Sequence, residues 1–99
     1  MSNFFILINM NNNGKPIRAI KKQFNDSCVG SELIKLVTEK VKNYIPTMKM
    51  KRIVYYDKDF QCNIDVNDST FFNEKAILEV FLEEVRYFHV LNSFFHYNT

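Results

Sequence analysis

Residues 31–44, SELIKLVTEKVKNY, constrain the fold more than any other stretch of the chain. Leu33, Val37, Val41 and Tyr44 recur at helical spacing, and Ile34 and Ile45 widen the same stripe. Glu32, Lys35, Glu39 and Lys42 occupy the opposite side. The spacing predicts an amphipathic helix with one face to bury. Ser31 is placed to cap its first turn, Gly30 to let the chain enter from a tight bend, and Pro46 to stop it. The segments on either side read as strands, so the layer that buries this helix is a sheet.

Residues 4–10, FFILINM, form a short run of aromatic and branched side chains typical of a central strand. Asn13-Gly14 follows, the strongest short-range hairpin signal, because both residues tolerate positive φ. The return strand, 15–24, reads KPIRAIKKQF. Ile20 and Phe24 are placed to face the helix, with Lys15, Arg18, Lys21 and Lys22 toward solvent or the strand edge. Pro16 lacks a ladder donor, which suits an edge strand or its first position, and the imperfect alternation points to a bulge. After the helix and a loop at 46–50, residues 51–56 read as a third strand. Asp57-Lys58-Asp59 turns the chain into a short fourth strand at 60–64. Residues 65–73 are rich in turn formers, with Asp68 or Ser69 placed to cap one helical turn at 70–72. Residues 76–82, AILEVFL, are the clearest strand and close the order.

The order of hairpin, helix, two short strands and closing strand resembles the ubiquitin-like β-grasp superfamily over about residues 4–83. The resemblance implies an α+β fold: a mixed four- to five-stranded sheet wrapped on one main helix, with the last strand parallel to the first. It implies a domain over 1–83 followed by an aromatic extension over 84–99. The Ras-binding and Ras-association, doublecortin and Phox/Bem homotypic branches all look similar at this level. A ubiquitin-type conjugating species is not implied, since the only glycines are Gly14 and Gly30.

In Ras-binding relatives a Lys- and Arg-bearing edge strand pairs with the edge strand of a small GTPase. By that resemblance Lys15, Arg18, Lys21 and Lys22, with Lys51 and Arg52 entering the third strand, would dock an acidic protein surface. The expected function is an adaptor, a protein-binding module like a small-GTPase effector. In homotypic relatives a basic face binds an acidic loop on a second copy, and Asp57, Asp59, Asp65 and Asp68 would be that loop. A doublecortin-like contact with microtubules or RNA would use the same lysines. Lysines on a strand edge also serve simply as solvated groups that block edge-to-edge aggregation.

Charge patterning bears on these readings. Residues 1–52 carry ten Lys and Arg against three Asp and Glu, whereas residues 53–99 carry three against eight. A fold that keeps the two halves on different faces has two electrical poles. For single-stranded nucleic acid the basic residues lack interleaved aromatics.

Other chemistries find little support. Asp57-x-Asp59-x-Gln61 with Asp65 and Asp68 imitates a calcium loop, but Cys62 stands where the sharp turn needs glycine and Asp68 replaces the long bidentate glutamate. Cys28, Cys62, His89 and His96 have no pair at the short spacing of structural zinc sites. No glycine-rich phosphate loop and no nucleophile marked by a neighbouring base are present, so the chain is not expected to be an enzyme or to need a cofactor. Two isolated cysteines read as free buried thiols. Asn25-Asp26-Ser27 and Asn67-Asp68-Ser69 match the glycosylation pattern, but without a secretory signal the expected location is cytoplasmic or nuclear. The extension holds Val85, Tyr87, Phe88, Val90, Leu91, Phe94, Phe95 and Tyr97, which fit a helical stripe or a strand. It is expected to fold back on the open sheet face or to dock a partner.

Overall fold

The computed structural model describes residues 2–85. The chain runs β1 (Asn3–Asn12), β2 (Lys15–Asn25), β3 (Cys28–Val29), α1 (Gly30–Tyr44), β4 (Met48–Asp57), β5 (Cys62–Asp65), β6 (Phe71–Phe72) and β7 (Ala76–Glu84). Five strands form one mixed sheet in the order β2-β1-β7-β4-β5, and β3 pairs with β6 in a separate two-stranded sheet. The described residues therefore form an α+β fold built on a mixed five-stranded sheet and one helix. Among the described residues no helix is long and apolar enough to cross a membrane. The expected 84–99 extension lies outside the described residues beyond Val85.

The β1–β2 hairpin turns at Asn13 and Gly14, with φ of 53° and 81°, as an Asn-Gly turn requires. Its register shifts at Met10/Asn11: Met10 faces Arg18 and Asn11 faces Pro16, so Ile17 is the extra residue of the expected bulge. Period-two alternation then sorts β1. Phe4, Ile6, Ile8 and Met10 are buried on the helix side. The parallel partner is β7, from Ile6 opposite Ala76 to Asn11 opposite Phe81. Leu78, Val80 and Leu82 extend the buried face, Ile53 adds to it from β4, and Leu33, Val37 and Val41 close it from α1.

Several local expectations need correction. α1 starts at Gly30, and Ser31 does not cap it with its side chain. Its first amides donate to loop carbonyls instead, Gly30 N–H to Thr70 at 2.6 Å and Ser31 N–H to Asp68 at 3.0 Å. Glu32 contributes an acceptor for the Val29 N–H at 3.4 Å. Gly30 is needed for space rather than for a bend. A Cβ there would overlap the Asn67 carbonyl oxygen and lie 2.9 Å from its carbon. Residues 71–72 are strand β6 rather than a helical turn, pairing Phe72 with Cys28 and Phe71 with Val29. β4 begins at Met48, three residues early, because Met48 and Met50 still pack on the core. Tyr44 ends the apolar stripe but is 48% exposed. Cys28 is buried as expected, whereas Cys62 is exposed at the start of β5; both are free.

Candidate functional site

β2 is an edge of the main sheet, hydrogen-bonded only to β1. From Arg18 to Asn25 its register with β1 is regular. Alternate backbone N–H and C=O groups along 18–25 therefore point away from β1 with no strand to receive them among the described residues. Pro16 and the bulge at Ile17 interrupt the edge at its start, so the usable stretch is the second half of the strand.

The four basic residues of β2 do not share a face. Ile20 and Phe24 pack toward the core, and the Phe24 ring stacks on Phe4 with centroids 5.9 Å apart. Alternation puts Arg18 and Lys22 on that helix side and Lys21 on the other. Arg18 holds its guanidinium 3.9 Å from the centre of the Tyr44 ring, and Lys40 of α1 reaches the same ring at 5.5 Å. Lys21 lies 4.4 Å above the Phe5 ring on the opposite side of the sheet. The free backbone edge is thus flanked by cations above and below. β2 contains no acidic residue, and none of its basic side chains forms a salt bridge among the described residues. Lys40 and Tyr44 belong to this surface, although helical periodicity assigns Tyr44 to the core.

The cation–π contacts have two effects. They hold Arg18 and Lys21 in place, so less side-chain freedom is lost when a partner docks. They also cover the aromatic faces that a nucleic-acid base would need for stacking.

Lys51 and Arg52 sit apart from Arg18, Lys21 and Lys22. β4 is separated from β2 by β1 and β7, a distance of about 14 Å at ordinary strand spacing. Lys51 and Arg52 instead line a groove of about 780 Å³ with Asn12, Asn13 and Gly14 of the hairpin tip, the last being the residue before Lys15. Arg52 is not free, because its Nε donates to Asp65 at 2.6 Å. Two residues expected on opposite docking faces thus pair within one molecule.

The acidic residues are dispersed. Asp57 accepts the backbone N–H groups of Asp59 at 2.8 Å and Phe60 at 3.0 Å, which closes the β4–β5 turn. Asp65 lies at the far end of β5, opposite Val54, and Asp68 lies in the loop under the helix start. Of the four aspartates, only Asp59 and Asp68 keep carboxylates without a protein partner among the described residues.

Sequence reading also misses a polar cluster on the sheet face opposite α1. Asn9 and Asn11 donate their side-chain amides to the two carboxylate oxygens of Glu79, at 3.4 and 3.3 Å. The signal lay in polar residues alternating with core positions in β1. The parallel β1–β7 register turns it into a contact, by setting Asn9 opposite Glu79. No family model matches the chain, and no curated protein matches it.

Proposed function

We propose that this chain is a non-catalytic protein-interaction domain of the ubiquitin-like β-grasp type, and that residues 18–25 of β2 accept the acidic edge strand of another protein. The β-grasp reading draws support from the order of elements. The first and last long strands lie parallel at the middle of the sheet, and the single helix follows the hairpin and crosses one face. The docking reading rests on one observation: a regular, unpaired edge with cations on both sides and no acid along it. Backbone pairing supplies affinity, and the charges supply orientation and on-rate. A small-GTPase-like edge strand has the required chemistry. Pairing of Arg52 with Asp65, and the role of Asp57 in its turn, favour an external partner over a second copy.

The test uses a synthetic strand-forming peptide of alternating Glu and Val, titrated into the isotope-labelled chain. Backbone shifts should concentrate in β2 and fade at raised salt. Reversing Arg18, Lys21 and Lys22 to Glu should slow association about tenfold or more. Fold stability should fall by only about 1–2 kcal/mol, the two exposed cation–π contacts of Arg18 and Lys21 at about 0.5–1 kcal/mol each, which leaves the chain folded for the assay. Shifts that map elsewhere, or binding unaffected by the reversal, would sink the proposal. So would tighter binding of a single-stranded oligonucleotide than of the peptide.

A further inference from the structure

The edge of β2 also selects among the strands it could take. Asp26 N–H donates to the Ser2 carbonyl at 2.8 Å, and the ladder is regular from there to Arg18. Arg18, Ile20, Lys22 and Phe24 therefore turn their backbone groups toward β1, while Ala19, Lys21, Gln23 and Asn25 present theirs to an incoming strand. An antiparallel newcomer forms hydrogen-bonded pairs with the second set. Its intervening residues lie directly opposite the first set, with Cα atoms about 4.5 Å apart rather than about 5.5 Å. Side-chain selection therefore falls mainly on the row that faces α1.

That row alternates in character. Arg18 and Lys22 are exposed cations, whereas Ile20 and Phe24 are half-buried and pack on the core. Lys40 shares the Tyr44 ring with Arg18, which adds a second positive charge at the Arg18 end. A carboxylate opposite Arg18 or Lys22 gains an ion pair. Opposite Ile20 or Phe24 it loses water to an apolar neighbour that offers no donor. An aliphatic side chain has the reverse preference. On the other face Lys21 lies between Ala19 and Gln23, which suits one acid between two neutral residues.

We infer, on the docking reading above, that the partner strand alternates acid and aliphatic along its own face toward α1, so that acids recur there at every fourth residue. A further acid on its opposite face meets Lys21. Read from the end opposite Phe24, an ideal antiparallel segment is Val-Thr-Glu-Glu-Val-Thr-Glu; a parallel newcomer has the same rhythm in the opposite order. A strand that alternates acid and aliphatic residue by residue puts all its acids on one face. In either setting it matches only half of the row formed by Arg18, Ile20, Lys22 and Phe24.

The test titrates two end-capped peptides, Val-Thr-Glu-Glu-Val-Thr-Glu and Val-Glu-Val-Glu-Val-Glu-Val, into the isotope-labelled full chain. Each carries three acids, and the second has two more valines and the higher strand propensity. The first should nevertheless bind about three- to tenfold more tightly, the product of two better cross-strand pairs. Both should shift the amides of Ala19, Lys21 and Gln23. Shifts in β2 from both peptides with equal affinities, or with the alternating peptide tighter, leave docking standing and overturn the inference. Shifts in β2 from neither overturn docking and the inference together. Lys22→Val, at an exposed position, supplies a second reading. It should cut the preference for the first peptide about twofold or more, because the acid opposite loses its partner while the alternating peptide gains an aliphatic contact. A preference that survives Lys22→Val intact does not come from the row facing α1, and the inference fails.

Discussion

Replacing Gly30 by alanine isolates the contact that joins the helix start to the rest of the fold. The new Cβ would overlap the Asn67 carbonyl oxygen, lie 2.9 Å from the carbonyl carbon and 3.2 Å from Val66 Cγ1. The obstacle is backbone, and it cannot easily give. Asn67 N–H donates to Thr70 Oγ1 at 2.8 Å, Thr70 N–H returns to the Asn67 carbonyl at 3.2 Å, and Ser69 N–H donates to Asn67 Oδ1 at 3.0 Å. Relief requires moving the whole 66–70 loop, the same loop whose carbonyls receive the Gly30 and Ser31 amides. Overpacking of this kind costs about 1–3 kcal/mol, and each weakened hydrogen bond about 0.5–1.5. Alanine's advantage over glycine in a helix returns at most about 1 kcal/mol. The balance is a loss of about 2–4 kcal/mol, or roughly 10–25 °C in melting temperature for a domain of this size. Urea unfolding reads it as a lower midpoint at unchanged slope. Gly14→Ala is the comparison. Gly14 has φ of 81° but nothing within 4 Å of a Cβ, so only the left-handed strain of about 1–2 kcal/mol applies. If Gly30→Ala is no more damaging than Gly14→Ala, the steric argument is wrong.

Three further outcomes follow from burial. Val37, 0% exposed in the core, should not tolerate Val37→Asp: the unpaired carboxylate costs several kcal/mol, and a melting point within a degree or two of wild type would contradict the packing described. Burial, with a smaller effect of Glu32, pushes the Cys28 thiol from 9.0 up to about 11, so an alkylating reagent should label Cys62 in the native protein and Cys28 only on unfolding. Between those values the unfolded thiol has lost its proton while the folded one keeps it, so this group's contribution to stability falls as pH rises; Cys28→Ala should remove that part of the slope.

The long elements were legible because each carries its own periodicity. The Leu33, Val37, Val41 stripe, the Asn13-Gly14 turn and the alternation of β7 depend on neighbours in sequence, and each lies where local chemistry puts it. The parallel pairing of β1 with β7 followed from a resemblance in element order. β3 and β6 were not legible, since two-residue strands have no period and exist only because the 67–70 loop closes on the helix start. Tyr44 was misplaced for a related reason: the stripe predicts a buried ring, but its ring lies under Arg18 and Lys40 rather than in the core. At the candidate site, sequence identified the cations of β2 but not their division between two faces, nor the capture of Arg52 by Asp65. Both depend on register, which the bulges at Ile17 and Lys51 reset.

The parallel pairing of β1 with β7 also dictates when the protein can fold. Ile6 meets Ala76 seventy positions later, and no shorter route supplies the centre of the sheet. Closing such a loop is entropically unfavourable before native contacts repay it, so assembly should be slow for a chain of this length and close to all-or-none. On the ribosome, the apolar side of β1 has no neighbour on its β7 flank until residue 82 or so has emerged. During that interval the nascent chain carries its excess of positive charge without the acidic half that follows. The lysines of β2 would then act first as a safeguard for an unfinished protein, repelling other nascent copies before there is a completed edge to bind anything.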